Sequence, residues 1–392
     1  MDVSLVDSAQ AFADLQGDWD ELVAASEEDN PFRRWFWNYC WWKHFGRDRQ
    51  LAMVAVRESG KLVALAPWFI ERDHWWRGAR VVRFLGATDE VCAEHLGLLI
   101  QRGREEALAP VLLEYFCREH ARRWDVLRLT DVPAHSAQVP ALEAFALGRR
   151  LTYRLRPDHL CRLVRFPDSW ERYLQSLPSK RRTKLRRIER EWNSQPHMTL
   201  AVAESPADLP PRWDELRRLH NIHWATQGMQ GCFEVPAFDA FHSELIEYYL
   251  PQGMLLLATL HAHGQPITSS YSLRLGETVY EYQRGHDPQW LAQRPGHALQ
   301  FMLFRYAVER GVRCWDYLRG DYAHKRDWSN DVRESVELQV ASPRTVQVAR
   351  FRMEGRLVQA KDQLRHLRES ARHWRASDHD ENADSQQPST PS

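Results

Sequence analysis

One five-residue pattern, Trp-Asp-x-Leu-Arg, occurs twice, and its recurrence restricts the fold more than any other feature of the chain. Trp124-Asp125-Val126-Leu127-Arg128 returns 191 residues later as Trp315-Asp316-Tyr317-Leu318-Arg319. Each copy follows a long helical pattern and reads as a short strand. Around each lies the same order of helices, antiparallel meander, helix and strand. Matching words in a matching order predict internal duplication of one α+β unit. At 392 residues the chain has room for two to three domains.

In the first copy, residues 12–46 read as helical, with a dense aromatic stretch at 32–45. A hairpin follows at 51–57 and 62–70 around Ser59-Gly60, then a strand at 81–86, a helix at 105–123, a strand at 125–130 and an extended stretch at 150–166. In the second copy, helices are predicted at 168–192, 212–227 and 236–250. Strands at 254–260, 266–275 and 278–285 turn at His263-Gly264 and Gly276-Glu277. A helix at 297–310 stops at Gly311, and strands follow at 312–318 and 336–340. The expected division is a degenerate unit at 1–165, a complete unit at 166–345, an amphipathic helix at 346–375 and a polar, disordered tail at 376–392. The helix carries Met353, Leu357, Ala360, Leu364, Leu367, Ala371 and Trp374 in a heptad stripe. Such a stripe packs on its own domain, forms a homodimer seam or lies on a membrane surface, and the spacing suits all three.

Lys plus Arg and Asp plus Glu both number 53, so zero net charge excludes a surface that binds nucleic acid globally. Arginine supplies 47 of the 53 basic residues, a bias that a GC-rich genome is enough to produce. No two of the six cysteines lie within four residues of each other, which removes zinc knuckles and redox pairs and predicts reduced thiols. The start of the chain has no basic segment leading into an apolar core, and the longest apolar run, 62–70, is well below the ~18 residues a bilayer requires. The expectation is a soluble, cytoplasmic protein without a membrane span.

Chemistry concentrates at Gln293-Arg294-Pro295-Gly296-His297-Ala298, between the strand at 279–285 and the helix at 297–310. A helix N-terminus offers unsatisfied N–H groups and a positive dipole end, which suit a pyrophosphate. Gly296 and Ala298 let backbone amides approach phosphate oxygens, and Pro295 rigidifies the entry.

This strand–loop–helix with its Q-x-x-G-x-A pattern resembles the acyl-CoA loop of the GNAT acyltransferase superfamily. Residues 150–340 resemble the branch related to CelD-type exopolysaccharide acetyltransferases. Supporting words are Leu219-His220-x-x-His223-Trp224 with Gly228 and Gly231-x-Phe233, Tyr282-x-x-Gly285-x-Asp287-Pro288, and Trp315 to Asp321 with Lys325 and Trp328. The duplication is similar to that of Fem-type peptidoglycan aminoacyltransferases, which are tandem GNAT-like units. Where many relatives have Tyr-Lys, this chain has His324-Lys325.

The resemblance implies an α+β fold of two tandem GNAT-like units, each a mixed sheet flanked by helices. It also implies direct acyl transfer, with acetyl-CoA as co-substrate and no metal, to an amine or hydroxyl of a cell-envelope or exopolysaccharide precursor. The acceptor would be a small molecule or saccharide. Nucleic acid would enter only if aminoacyl-tRNA were the donor, the alternative Fem-like reading.

Expected cofactor contacts are Gln283 and Gly285 on the strand and Gln293, Arg294, Pro295, Gly296, His297 and Ala298 in the loop. Candidate acid–base groups are His324, Asp321, Tyr322 and Glu281. His220, His223, Trp224 and Lys325 are candidates to line the acceptor site. The corresponding stretch of the first unit has Arg102-Gly103-Arg104 in place of the phosphate motif, so that unit is expected to be structural or to shape the acceptor groove. Seven positive charges between Lys180 and Arg190 suit a solvated helix face, an anionic acceptor, the CoA 3′-phosphate or RNA. The 17 tryptophans suit core packing first and a sugar-stacking groove second.

Overall fold

The computed structural model describes residues 1–73, 78–193, 197–344, 346 and 348–353. The chain opens with β1 (Asp2–Val6), α1 (Ala9–Ala13), α2 (Gln16–Ala25) and α3 (Trp35–Phe45). The single helix expected over 12–46 is thus broken. Asn30 accepts from the Phe32 and Arg33 amides and starts a 3-10 turn at Pro31–Arg33 that interrupts it. Next come β2 (Gln50–Leu51), β3 (Met53–Glu58), β4 (Lys61–Ala66), β5 (Trp68–Asp73), β6 (Ala79–Phe84), β7 (Leu99–Ile100), α4 (Glu105–Glu119), β8 (Val126–Pro133), α5 (Gln138–Gly148) and β9 (Tyr153–Arg165). Proline cannot donate to a ladder, and at Pro67 the chain leaves the sheet of β4 and enters that of β5.

The second repeat contains α6 (Trp170–Ser176), α7 (Ser179–Asn193), β10 (Met198–Val202), α8 (Leu209–Ala225), α9 (Pro236–Tyr249), β11 (Leu255–Ala262), β12 (Gln265–Leu275) and β13 (Thr278–His286). After these come α10 (Pro295–Glu309), β14 (Cys314–Arg319), α11 (Ala323–Trp328) and β15 (Asp331–Ala341). The helix expected over 168–192 divides at Leu177-Pro178, where the residue before proline is forced into extended backbone. β11 is buried along its whole length, as its near-continuous apolar run requires of a central strand.

Eleven strands form one sheet in the order β10-β11-β12-β13-β14-β9-β15-β8-β6-β5-β2, and β1-β3-β4-β7 form a second. The repeat is visible in the large sheet. β13 runs parallel to β14 as β6 runs parallel to β8, with α10 and α4 as the respective connections. The strands closing each repeat are exchanged. β9 follows the first repeat but pairs with β14 of the second, and β15 follows the second but lies beside β8 of the first. Neither repeat completes its sheet alone, and Met1–Val340 is one compact unit. The boundary expected at 165 falls at the end of an exchanged strand.

Trp19, Trp37, Trp41, Trp68, Trp124 and Trp315 are all fully buried, so a large share of the tryptophan excess is core. All six cysteines are free thiols. No helix among the described residues is long and apolar enough to cross a membrane. The separate unit Ala341–Ser392 is described only to Met353, with the Val348 amide donating to the Arg344 carbonyl at 3.0 Å. The rest of the expected C-terminal helix, with its dimer seam, and the expected tail lie outside the described residues.

Candidate active site

β13 and β14 pair over three residues only, Thr278–Tyr280 against Cys314–Asp316, and then diverge. On its other side β14 changes register against β9 between Asp316 and Arg319. Leu318 sits in that irregularity at φ 58°, left-handed backbone that a leucine rarely adopts. Beyond Tyr280 the edge of β13 that faced β14 pairs with no other strand among the described residues, and this divergence is the candidate notch for an extended ligand.

Beyond the notch lies the phosphate-binding candidate. Asp287 accepts from the Gln289 amide at 3.0 Å and starts a 3-10 segment, Pro288–Gln293. Arg294 then takes left-handed backbone, φ 54°, and Pro295 is the first residue of α10. No side chain caps this helix; the His297 amide donates to the Arg294 carbonyl at 3.0 Å, and no side chain takes up the N–H groups of its first turn. A Cβ on Gly296 would stand 2.9 Å from His286 Cε1, so only glycine fits beneath that ring. The Arg284 guanidinium reaches the Gly296 carbonyl at 3.4 Å, and Ala298 is buried. His297 stays below its ordinary pKa, first through burial and then through Lys184 and Arg294. Lys184 thereby brings the basic face of α7 to the same helix end.

His286 was missed by sequence reasoning, although it lies inside the motif Gly285-x-Asp287-Pro288. Thr268 donates its hydroxyl to the Gly285 carbonyl at 3.0 Å, so the 2.8 Å contact between Thr268 Oγ1 and His286 Nδ1 is donated by the imidazole. Nε2 is left as the acceptor nitrogen. Burial, with Arg284 nearby, pushes the pKa of His286 down to about 3 and keeps the ring neutral.

The other expected residues divide into exposed and committed groups. Glu281 accepts from Trp315 Nε1 and Arg284 Nη2, both at 2.9 Å, which ties its carboxylate into the sheet. Asp321 is held by Arg162 at 2.8 Å and Arg326 at 2.9 Å, and those cations keep its pKa below the usual range, contrary to what a base requires. Tyr322 is 61% exposed and stacks on His324, ring centroids 5.7 Å apart. His324 titrates below its ordinary value because of burial and the Arg284 charge.

Lys325 donates to the carbonyls of Tyr317 (2.7 Å), Leu318 (3.3 Å) and Arg319 (2.5 Å). Its three donors are thus used within the protein, which corrects the expectation that it would contact an acceptor. His220 is also committed. Its Nε2 accepts from Trp224 Nε1 at 2.9 Å, and burial pushes its pKa down to about 4. Gln283 hydrogen-bonds His220, and a Cβ on Gly285 would lie 2.4 Å from the His220 nitrogen, so glycine lets α8 rest on β13. His223 lies at the notch side of α8, its ring 5.5 Å from His286 and its buried Nδ1 without a partner.

The first repeat brings a second concavity. A cleft of about 1180 Å³ is lined by Arg49, Arg83, Arg128, Asp131, Asp158 and Arg319 among others. Arg319, the last residue of β14, connects this cleft to the notch. It pairs with Asp131 at 3.1 Å and Glu94 at 3.0 Å. Burial, opposed by Arg319, pushes the Asp131 pKa up to about 7. Sequence periodicity carries no signal for such a cluster, because its members come from five separate segments.

Residues 179–326 match the family model of the acetyltransferase (GNAT) domain. The crystal structure of FemX superposes with TM-score 0.58 at 12% identity, covering 86% of this chain and 97% of FemX. A conserved protein of unknown function from Bacteroides thetaiotaomicron VPI-5482 superposes at 0.55 with 11% identity, covering 86% of this chain and all of that one. The C-terminal domain of a putative lysylphosphatidylglycerol synthetase from Agrobacterium fabrum does so at 0.50 with 12% identity, over 87% and 95%. At these identities the likeness is one of fold. No curated protein sequence matches the chain. The family match runs from α7 into α11 and includes both the diverging strands and the uncapped helix: residues 179–326 carry the likeness to the GNAT acetyltransferase domain, within a duplicated α+β fold.

Proposed function

We propose that the chain transfers an acyl group, acetyl in the simplest case, directly from acyl-CoA to an amine or hydroxyl of a cell-envelope or exopolysaccharide precursor. The observation that carries this reading is the uncapped N-terminus of α10, set beside the notch between β13 and β14 within the matched domain. The N–H groups around Gly296 would hold the pyrophosphate, and Lys184 and Arg294 would add positive charge at its rim. The acceptor oxygen or nitrogen attacks the thioester carbonyl, its proton passes to a base, and the C–S bond breaks as the thiolate takes up a proton. His324, kept neutral at physiological pH, is the proposed proton acceptor, and the exposed Tyr322 stacked on it is the proposed donor to the thiolate. The charged cleft that shares Arg319 is the proposed acceptor site. Its lining of arginines and carboxylates, with no Trp, Tyr or Phe among the lining residues, favours a polar, charged acceptor over a tryptophan-lined sugar groove.

The alternative donor, aminoacyl-tRNA, has one observation in its favour: α7 carries seven basic residues and lies at the mouth of the same helix end. The deciding experiment is calorimetric titration of the full chain with acetyl-CoA, followed by thiol release over a panel of amines and sugars. Absence of acetyl-CoA binding, with salt-sensitive retention of charged tRNA, would transfer the proposal to the second donor.

A further inference from the structure

Between Asp316 and Arg319, past the end of its pairing with β13, β14 breaks register against β9, and side chains hold the backbone groups of this irregular stretch. The Leu318 amide donates to Asp316 Oδ1 at 2.8 Å, and the Arg319 amide donates to Glu94 Oε2 at 2.7 Å. The carbonyls of Tyr317, Leu318 and Arg319 accept from Lys325. Unpaired backbone at this depth would otherwise favour a different register of the end of β14 and a different shape of the notch.

The decisive groups come from the other repeat. Glu94 and His95 are adjacent, both buried, and reach into the second repeat side by side. His95 Nε2 meets Asp316 Oδ2 at 2.9 Å, so the carboxylate that holds Leu318 is itself held. Glu94 grips Arg319 twice, through the main-chain amide and through Nε at 3.0 Å. The loop that presents them is bent for this task. Cys92 and His95 have φ 46° and 54°, and Asn30 Nδ2 anchors the His95 carbonyl at 3.0 Å.

We propose that Glu94, supported by His95, is a positioning residue by which the first repeat holds open the acyl-transfer notch of the second. The proposal rests on the acyltransferase reading above. It gives the repeat without the candidate phosphate loop a defined part in the reaction: its Glu94, which also accepts from Cys161 of β9 at 3.3 Å, fixes the irregular end of β14 beside the notch.

The test uses the full chain with acetyl-CoA, hydroxylamine as a generic nucleophile and detection of released thiol. Glu94→Ala is expected to lower kcat by about 10-fold or more while the acetyl-CoA Kd stays within about threefold, because the phosphate loop is untouched. The Arg319 amide should exchange faster with deuterium. Glu94→Gln, whose carbonyl can accept the same N–H, should recover kcat to within about threefold of the parent. If Glu94→Ala fails to fold, Glu94→Asp, whose shorter side chain cannot reach both the Arg319 amide and its guanidinium, serves in its place, with the same losses expected. Unchanged kcat and exchange in a folded variant would overturn the proposal, as would a kcat loss that only tracks lost acetyl-CoA binding capacity. Failure of the parent to bind acetyl-CoA would instead remove the acyltransferase reading, whereas the exchange measurement still reports on the clamp.

Discussion

Replacing Gly296 with alanine separates donor binding from folding. The new Cβ would lie 2.9 Å from His286 Cε1 and 3.6 Å from both ring nitrogens. The ring cannot simply withdraw, because Nδ1 is tied to Thr268 at 2.8 Å. Backbone strain does not enter, since Gly296 lies outside the left-handed region. Overpacking of this kind costs about 1–3 kcal/mol, and alanine recovers up to ~1 kcal/mol of helix propensity, so the net stability loss is about 0–2 kcal/mol. Binding should suffer more. A shift of the loop that removes one amide contact to a charged oxygen forfeits about 1.5–3 kcal/mol, a 10- to 150-fold weaker Kd. Calorimetry with acetyl-CoA and a thermal melt measure the two effects on one sample. KM for acetyl-CoA should rise with Kd, while kcat at saturation stays within about twofold, because the lost contact is made equally in ground and transition states. Gly296→Glu, which adds a negative charge, should abolish measurable binding. A folded Gly296→Ala protein with unchanged Kd would refute the placement of the phosphates at this helix end.

Stability should peak near pH 6.5. His220 and His286, pushed down to about 4 and about 3, bind fewer protons folded than unfolded, so their contribution is complete above about 6.5 and is lost as pH falls through those values. His95, raised by Asp316 against its burial, contributes fully below about 6.5 and is lost as pH rises through its folded value. Thermal melts across this range should show both limbs, His220→Gln flattening the acid one and His95→Gln the alkaline one; a flat profile contradicts the reasoning. Trp315→Phe removes the 2.9 Å donor to Glu281 from a fully buried position and should cost about 2–4 kcal/mol in urea unfolding, whereas a cost below ~0.5 kcal/mol would show Arg284 alone suffices for Glu281. Lys184→Glu should raise the acetyl-CoA KM several-fold and leave dephospho-CoA analogues less affected if α7 receives the 3′-phosphate; equal effects on both exclude that contact.

Much of the second repeat was legible because local rules dominate there. The meander, its two turns and the helix after Pro295-Gly296 follow from short apolar runs and turn chemistry, and the expected strand ends agree with the observed ones within a few residues. The long helices expected at 12–46 and 168–192 broke at Pro31 and Pro178, where proline and its neighbour override an apolar period. Among the candidate site residues, Gly296 and Ala298 stand out by their place between strand and helix. Lys325 and Glu281 could not be assigned, since their partners, the β14 carbonyls and Trp315, are distant in the chain. His286 carried a local signal in its motif, but its neutral tautomer depends on Thr268, 18 residues away.

What the sequence determined alone was the repeat: two copies of one order of elements, with the candidate phosphate-binding loop in the second only. Periodicity, turns and a duplicated word are local properties, and they survive without knowledge of contacts. Tertiary structure decided how the copies depend on each other. The exchange of β9 and β15, the grip of Glu94 and His95 on β14, and the cleft that shares Arg319 all join residues more than a hundred positions apart. Such pairings are settled by which backbone groups remain unsatisfied when the sheet closes, and no local pattern in the chain records that balance.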